Sequence, residues 1–107
     1  MAFIAVDVAI EMIRALRPAI ELIARRDASL ADQLRRAAAS VALNLAEGRR
    51  RAGRDRPHSF RVALGSADEV IACLRVAEGF GYLEMAAIEQ PWRLADRVLR
   101  MVWGLAR

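Results

Sequence analysis

The sequence has no lysine, and all 17 of its basic residues are arginine. A codon bias is enough to explain that choice, so position rather than residue type has to carry any argument from charge. The single cysteine, Cys73, excludes an intrachain disulfide and fits a reducing compartment. It lies mid-helix without a nearby histidine and reads as packing, not as a nucleophile. The single histidine, His58, excludes the paired Glu-x-x-His motifs of a dimetal bundle. It reads as a surface or first-turn residue that would become cationic near a phosphate. There is no P-loop and no glycine-rich dinucleotide fingerprint. No catalytic, metal or cofactor site can be assembled from this inventory, and no enzyme is expected.

Other signals are missing too. No stretch alternates with period two for long enough to make a strand. The start, Met1-Ala2-Phe3-Ile4, carries no basic segment, and its apolar run is broken by Asp7 and Glu11. Neither a signal peptide nor a membrane span is expected, which points to a soluble cytoplasmic protein. Six glycines and three prolines leave few interruptions in a chain rich in Ala, Leu and Arg, which are strong helix formers.

What is present is apolar surface. The 107 residues suit one domain, yet 56% are hydrophobic, above the ordinary ~45–50%. So small a domain has little interior, and the excess is expected to meet another chain.

The periodicity predicts four helices. The first runs from about Phe3 to Arg25, with Asp7, Glu11, Arg14, Glu21 and Arg25 on one polar stripe and Pro18 as an expected kink. Ser29 is the expected cap of the second, Leu30 to Arg51, whose core face is Leu30, Leu34, Ala37, Ala38, Val41, Leu45 and Gly48. The third begins after Gly53, with Pro57 in its first turn, and ends at Gly79-Phe80-Gly81. Its core face is Phe60, Leu64, Ala67, Val70, Ile71 and Leu74. The fourth spans about Glu84 to Ala106 with Ile88, Trp92, Ala95, Leu99 and Val102 as its seam, and Pro91 is expected to interrupt it. Trp92 and Trp103 fall on its apolar side and read as core or interface. Short connections favour an all-α, antiparallel up-down-up-down four-helix bundle.

Two helices are apolar on a second side: Val62, Cys73, Val76 and Phe80 on the third, Ala39, Leu43 and Ala46 on the second. A small protein buries such faces against a copy of itself, and closed cyclic symmetry is the usual result.

Two polar features stand out. Ser40, Asn44, Glu47 and Arg51 form one stripe beside the second helix's core. Ser66 and Glu69 lie on the third, next to small Gly65, so an interhelical hydrogen-bond cluster that fixes helix register is expected. Between Glu47 and Arg61, Arg49, Arg50, Arg51, Arg54, Arg56 and Arg61 face two carboxylates. That excess of four equals the formal net charge of the whole chain. A clustered arginine patch is the electrostatic footprint of nucleic-acid binding, although the same cluster also suits a solvated turn. No aromatic residue interleaves the arginines, which points to backbone contacts and away from base stacking.

The stretch Ser40-Val41-Ala42-Leu43-Asn44-Leu45-Ala46-Glu47-Gly48, the arginines after it, and Ala63-Leu64-Gly65-Ser66-Ala67-Asp68-Glu69 resemble the four-helix bundle proteins of the 23S rRNA intervening-sequence family. The tail Leu99-Arg100-Met101-Val102-Trp103-Gly104-Leu105 is similar too. The resemblance implies a ring of subunits, a homopentamer, with no established activity for most members. One branch, the accessory variability determinants of diversity-generating retroelements, implies a reverse transcriptase and RNA or DNA as partners. The expectation is a non-enzymatic oligomeric accessory protein that binds nucleic acid, or a nucleic-acid enzyme, through its arginine loop. The alternative is a structural or regulatory homo-oligomer whose partner is another protein.

Overall fold

A computed structural model describes residues 4–50 and 55–106, and every regular element among them is helical. The elements are α1 (Ile4–Ala24), α2 (Ala28–Arg50), α3 (Asp55–Gly79), α4 (Met85–Val102) and a closing 3-10 turn (Trp103–Ala106). At ~1.5 Å per residue the 25 residues of α3 span roughly 37 Å, most of the molecule's 44 Å length. Helix α1 packs on α2 and α4, and α3 packs on the same two. One core results.

Each helix buries the stripe its sequence dictates. Met12, Leu16 and Ile23 of α1 meet Leu34, Val41 and Leu45 of α2, Phe60, Val70 and Leu74 of α3, and Ile88, Val98 and Val102 of α4 in a single cluster. Much of the remaining core is alanine, ten of which are buried along α1, α2 and α3. Small side chains let helices approach closely, which compensates for a chain with few aromatics. Gly48 is the tightest point. A Cβ there would lie 2.6 Å from the Phe60 ring, so α2 and α3 meet as closely as they do only because position 48 has no side chain.

Several expectations need correction. Pro18 does not divide α1, and Pro91 does not interrupt α4; both lie inside continuous helices. Each removes one backbone donor, but the buried faces on either side outweigh one missing bond. Pro91 is itself buried and adds apolar surface to the core. Ser29 is not the cap of α2. Asp27 is: its Oδ1 accepts from the Leu30 N–H at 2.9 Å, while Ser29 is exposed in the first turn. Cys73 does not belong to a second face of α3. It is buried, as are Leu74 and Ala77 beside it, so the covered arc of α3 is wider than one stripe. Ile71, Trp92 and Leu99 are only partly covered.

Helix α3 stops where glycine permits a left-handed residue. Gly81 has φ 79°, its N–H donates to the Glu78 carbonyl at 2.9 Å, and the Tyr82 N–H reaches back to Ala77 at 2.9 Å. The turn delivers Tyr82 to the α1–α2 turn, where its hydroxyl donates to Asp27 Oδ2 at 3.2 Å. The Arg26 guanidinium stands 5.6 Å from the Tyr82 ring centre, and Phe80 stacks on the same ring at 5.4 Å.

Candidate functional site

The arginine-rich segment turns the chain from α2 into α3. Arg49 and Arg50 occupy the last turn of α2 and are exposed. Cations there complement the partial negative charge of a helix C-terminus, which is reason enough for one or two of them. Arg51 and Arg54 lie outside the described residues. Arg56 opens α3 with its guanidinium 5.7 Å from the centre of the Phe60 ring. Arg61, one turn on, donates from Nη1 to the Ala106 carbonyl at 3.0 Å. The segment therefore divides. Arg56 lies against the core's largest ring, and Arg61 ties α3 to the closing turn.

That tie brings in a residue the sequence reading assigned elsewhere. Trp103 begins the closing turn and is 61% exposed, neither core nor seam. It lies some forty residues from the arginines in sequence but at the same end of α3, because Arg61 holds Ala106 of the same turn. The apolar stripe of α4 continues through Leu105 and Ala106, so the spacing gives no sign that the helix tightens to 3-10 at Trp103.

The polar stripe forms in part. Ser40 Oγ and Ser66 Oγ are 2.7 Å apart and join α2 to α3. Asn44 does not bridge the helices as expected. Its Nδ2 donates to the Ser40 carbonyl at 2.9 Å and to Ser40 Oγ at 3.1 Å, one turn back on its own helix. Glu69 accepts from Gln33 Nε2 at 3.2 Å near the surface, and Glu47 is half-buried one turn beyond Asn44. Gly65 faces open space, so it is Gly48, not Gly65, that lets a neighbouring helix approach. This is a register device between two helices, with no nucleophile or acid-base pair in it.

The remaining reactive groups are quiet. Burial, reinforced by the nearby Glu69 charge, pushes the Cys73 thiol above its usual range and keeps it protonated and a poor nucleophile. His58 is exposed in the first turn of α3. Among the described residues no three His, Cys, Asp or Glu side chains come together as a metal site, and no helix is long and apolar enough to cross a membrane.

Exposed apolar side chains mark other surfaces. Leu43 is 68% exposed on the outer face of α2. Val76, Met85 and the partly covered Trp92 line an open groove between α3 and α4, with Arg75 over the Trp92 ring at 5.8 Å.

Comparison with known proteins gives a family and a fold. A family model described as 23S rRNA-intervening sequence protein matches residues 4–104. Among solved structures, the chain is similar to a protein of unknown function from the S23 ribosomal protein family of Bacteroides thetaiotaomicron VPI-5482. The TM-score is 0.84 at 16% identity, covering 96% of this chain and 98% of that one. At that identity the likeness is one of fold. No curated protein matches the chain.

Proposed function

The chain belongs to the 23S rRNA-intervening sequence protein family, and from that footing we propose a non-catalytic accessory protein that binds nucleic-acid backbone through the α2–α3 turn. The observation that carries the proposal is the placement of charge. The chain's net surplus falls on the turn between two helices, with Arg49 and Arg50 exposed on one side of it and Arg56 on the other. A helix C-terminus gains from one or two cations, but six arginines in one segment exceed that need. Arginine forks match phosphate oxygens bidentately, and such contacts carry no sequence information, which suits backbone binding.

The proposed subunit is an antiparallel bundle working as a cytoplasmic ring of copies. The pairs Gly48 with Phe60, Ser40 with Ser66 and Gln33 with Glu69 run in opposite chain directions along α2 and α3, which supports the antiparallel reading. Exposed Leu43, Val62 and Val76 support burial against a second copy. A ring, a pentamer in our reading, would repeat the arginine turn and raise a weak contact to useful avidity. A nucleic-acid enzyme of the reverse-transcriptase kind would then meet the protein on shared RNA or DNA.

A titration of labelled mixed-sequence nucleic acid, read by fluorescence anisotropy at several salt concentrations, tests this. Affinity should fall steeply with salt. Replacing Arg49, Arg50, Arg51, Arg54 and Arg56 with Gln should abolish binding, and each lost phosphate contact should flatten the log–log salt slope by about 0.7 to 0.9. No binding at low salt, or equal binding by the variant, would favour the second reading. In that reading the apolar surfaces at Leu43 and between α3 and α4 hold a protein partner, and the arginines only keep the turn solvated.

A further inference from the structure

We propose that copies of this chain join head to tail, the outer ridge of α2 on one copy seating along the outer seam of α3 on the next. The inference rests on the reading of a ring above and names the two surfaces that form it.

Both surfaces follow the alternating three- and four-residue spacing by which one helix packs along another. On α2 the line is Ala39, Leu43 and Ala46, and on α3 it is Val62, Gly65, Glu69, Ala72 and Val76. Leu43 is 68% exposed and no member of either line is buried, so neither line belongs to the subunit's own core. The two lines differ in relief. Leu43 stands as a knob between two alanines, whereas a Cβ at Gly65 would meet nothing within 4 Å, leaving a hollow in the seam. Pairing ridge with ridge would set knob against knob. Pairing ridge with seam fills the hollow, and a contact between unlike surfaces repeats from copy to copy.

Height along the bundle agrees. Ser40 lies level with Ser66 and Gly48 with Phe60, which puts Leu43 near the height of Val62 and Gly65, and Arg36 near that of Asp68 and Glu69. Subunits standing side by side around an axis bring these groups together without sliding. Charge agrees as well. Beside the ridge, Arg35 and Arg36 share the one carboxylate of Asp32, at 3.6 and 2.9 Å. Beside the seam, Arg61 holds the Ala106 carbonyl and Arg75 lies over Trp92, while the Asp68 and Glu69 carboxylates stay exposed. A second copy therefore brings cations to a seam edged with anions, and a nucleic-acid strand would be repelled from it.

Two substitutions at these exposed positions test the contact, with mass read by light scattering coupled to size exclusion. Wild type should run as more than two copies of the 11.9 kDa chain. Leu43→Asp breaks the ridge, and Gly65→Gln fills the hollow with a better helix former. Each alone should fall to a monomer, with helix content by circular dichroism unchanged. Leu43→Gln replaces the first variant if an aspartate disturbs α2. Mixed together, the two variants retain one sound ridge and one sound seam, and should form a one-to-one dimer that grows no further. A wild-type monomer would end both the ring reading and this inference. A wild type that stops at two copies, or variants as large as wild type, would overturn the head-to-tail contact and leave self-association standing. Variant monomers that do not pair on mixing would overturn it too, because ridge and seam would then face other surfaces.

Discussion

At one end of α3, the turns at residues 25–27 and 80–84 are closed on each other. Asp27 caps α2 with one carboxylate oxygen and accepts the Tyr82 hydroxyl with the other, while Arg26 and Phe80 cover the Tyr82 ring. Every one of these groups has a partner within the chain. At the other end, Arg56 and Arg61 lie on the core and the closing turn, but the segment still carries the chain's whole net surplus, with Trp103 exposed on the closing turn. The contrast separates an end whose charges are matched from an end whose arginines outnumber its carboxylates. Arginine content alone does not make that distinction, since arginines occur at both ends.

The strongest way to break the comparison is to remove what organises the open end. Phe60 is 1% exposed, supports Arg56 and fills the space beside Gly48. Phe60→Ala should cost about 3–5 kcal/mol of stability, read from chemical denaturation, and Arg56 should lose the ring it lies over. A loss under about 1 kcal/mol would mean the close α2–α3 approach does not form in solution. Gly48→Ala probes the same contact from the other side. Alanine gains up to ~1 kcal/mol of helix propensity, but its Cβ would sit 2.6 Å from a buried ring that has nowhere to swing. Overpacking of roughly 1–3 kcal/mol should win, giving a net loss. A more stable Gly48→Ala protein would overturn the packing argument.

How much of this was legible beforehand differs by element. Core positions such as Leu34, Val41, Phe60 and Leu74 follow from spacing, because each helix has one face that water disfavours. The width of that face does not follow. Cys73 is buried outside the stripe read from spacing, because the width of the covered arc depends on how the other helices pack around α3. The interruption expected at Pro91 does not occur, since local propensity gives way to the burial of the helix on either side of it. The arginines were found as a segment, but Arg61's carbonyl partner lies 45 residues away and could not be found that way. Of the two readings of Trp103, core or interface, its 61% exposure excludes the first, because the chain leaves α-helical geometry after Val102.

The closed end offers a smaller effect. Asp27→Ala removes the cap of α2 and should cost about 0.5–2 kcal/mol, with Asp27→Asn, which keeps a capping oxygen, recovering most of it. If Ser29→Ala is instead the costly substitution, the cap has been assigned to the wrong residue. The open end should behave differently. Arg49→Gln with Arg50→Gln should change stability by no more than about 0.5 kcal/mol, because ion pairs of solvent-exposed side chains contribute little. A large loss there would mean those side chains hold the fold, and would weaken the case that they face a partner.

The smallest expected effect sharpens the comparison most cleanly, because the arginine end is silent in it. Arginine stays charged across the whole accessible range, so an alkaline titration of stability reports only on other groups. Tyr82's phenol is held above its usual value, first by desolvation and then by its bond to Asp27 and that carboxylate's charge. Cys73 is raised likewise, by burial and then by Glu69. In both cases the folded state holds the proton more tightly than the unfolded chain. The stability each contributes is therefore fully present below its unfolded pKa and is lost as pH rises through the folded one. Urea midpoints measured from pH 7 to 11 should fall in two stages, the thiol contributing from above about pH 8.5 and the phenol from above about pH 10. Cys73→Ala should remove the lower stage and Tyr82→Phe the upper, while the arginine-to-glutamine variant should follow the wild-type curve shape throughout. An upper stage that survives Tyr82→Phe would mean the latch between the two turns is open in solution. The closed end would then be no more closed than the arginine end.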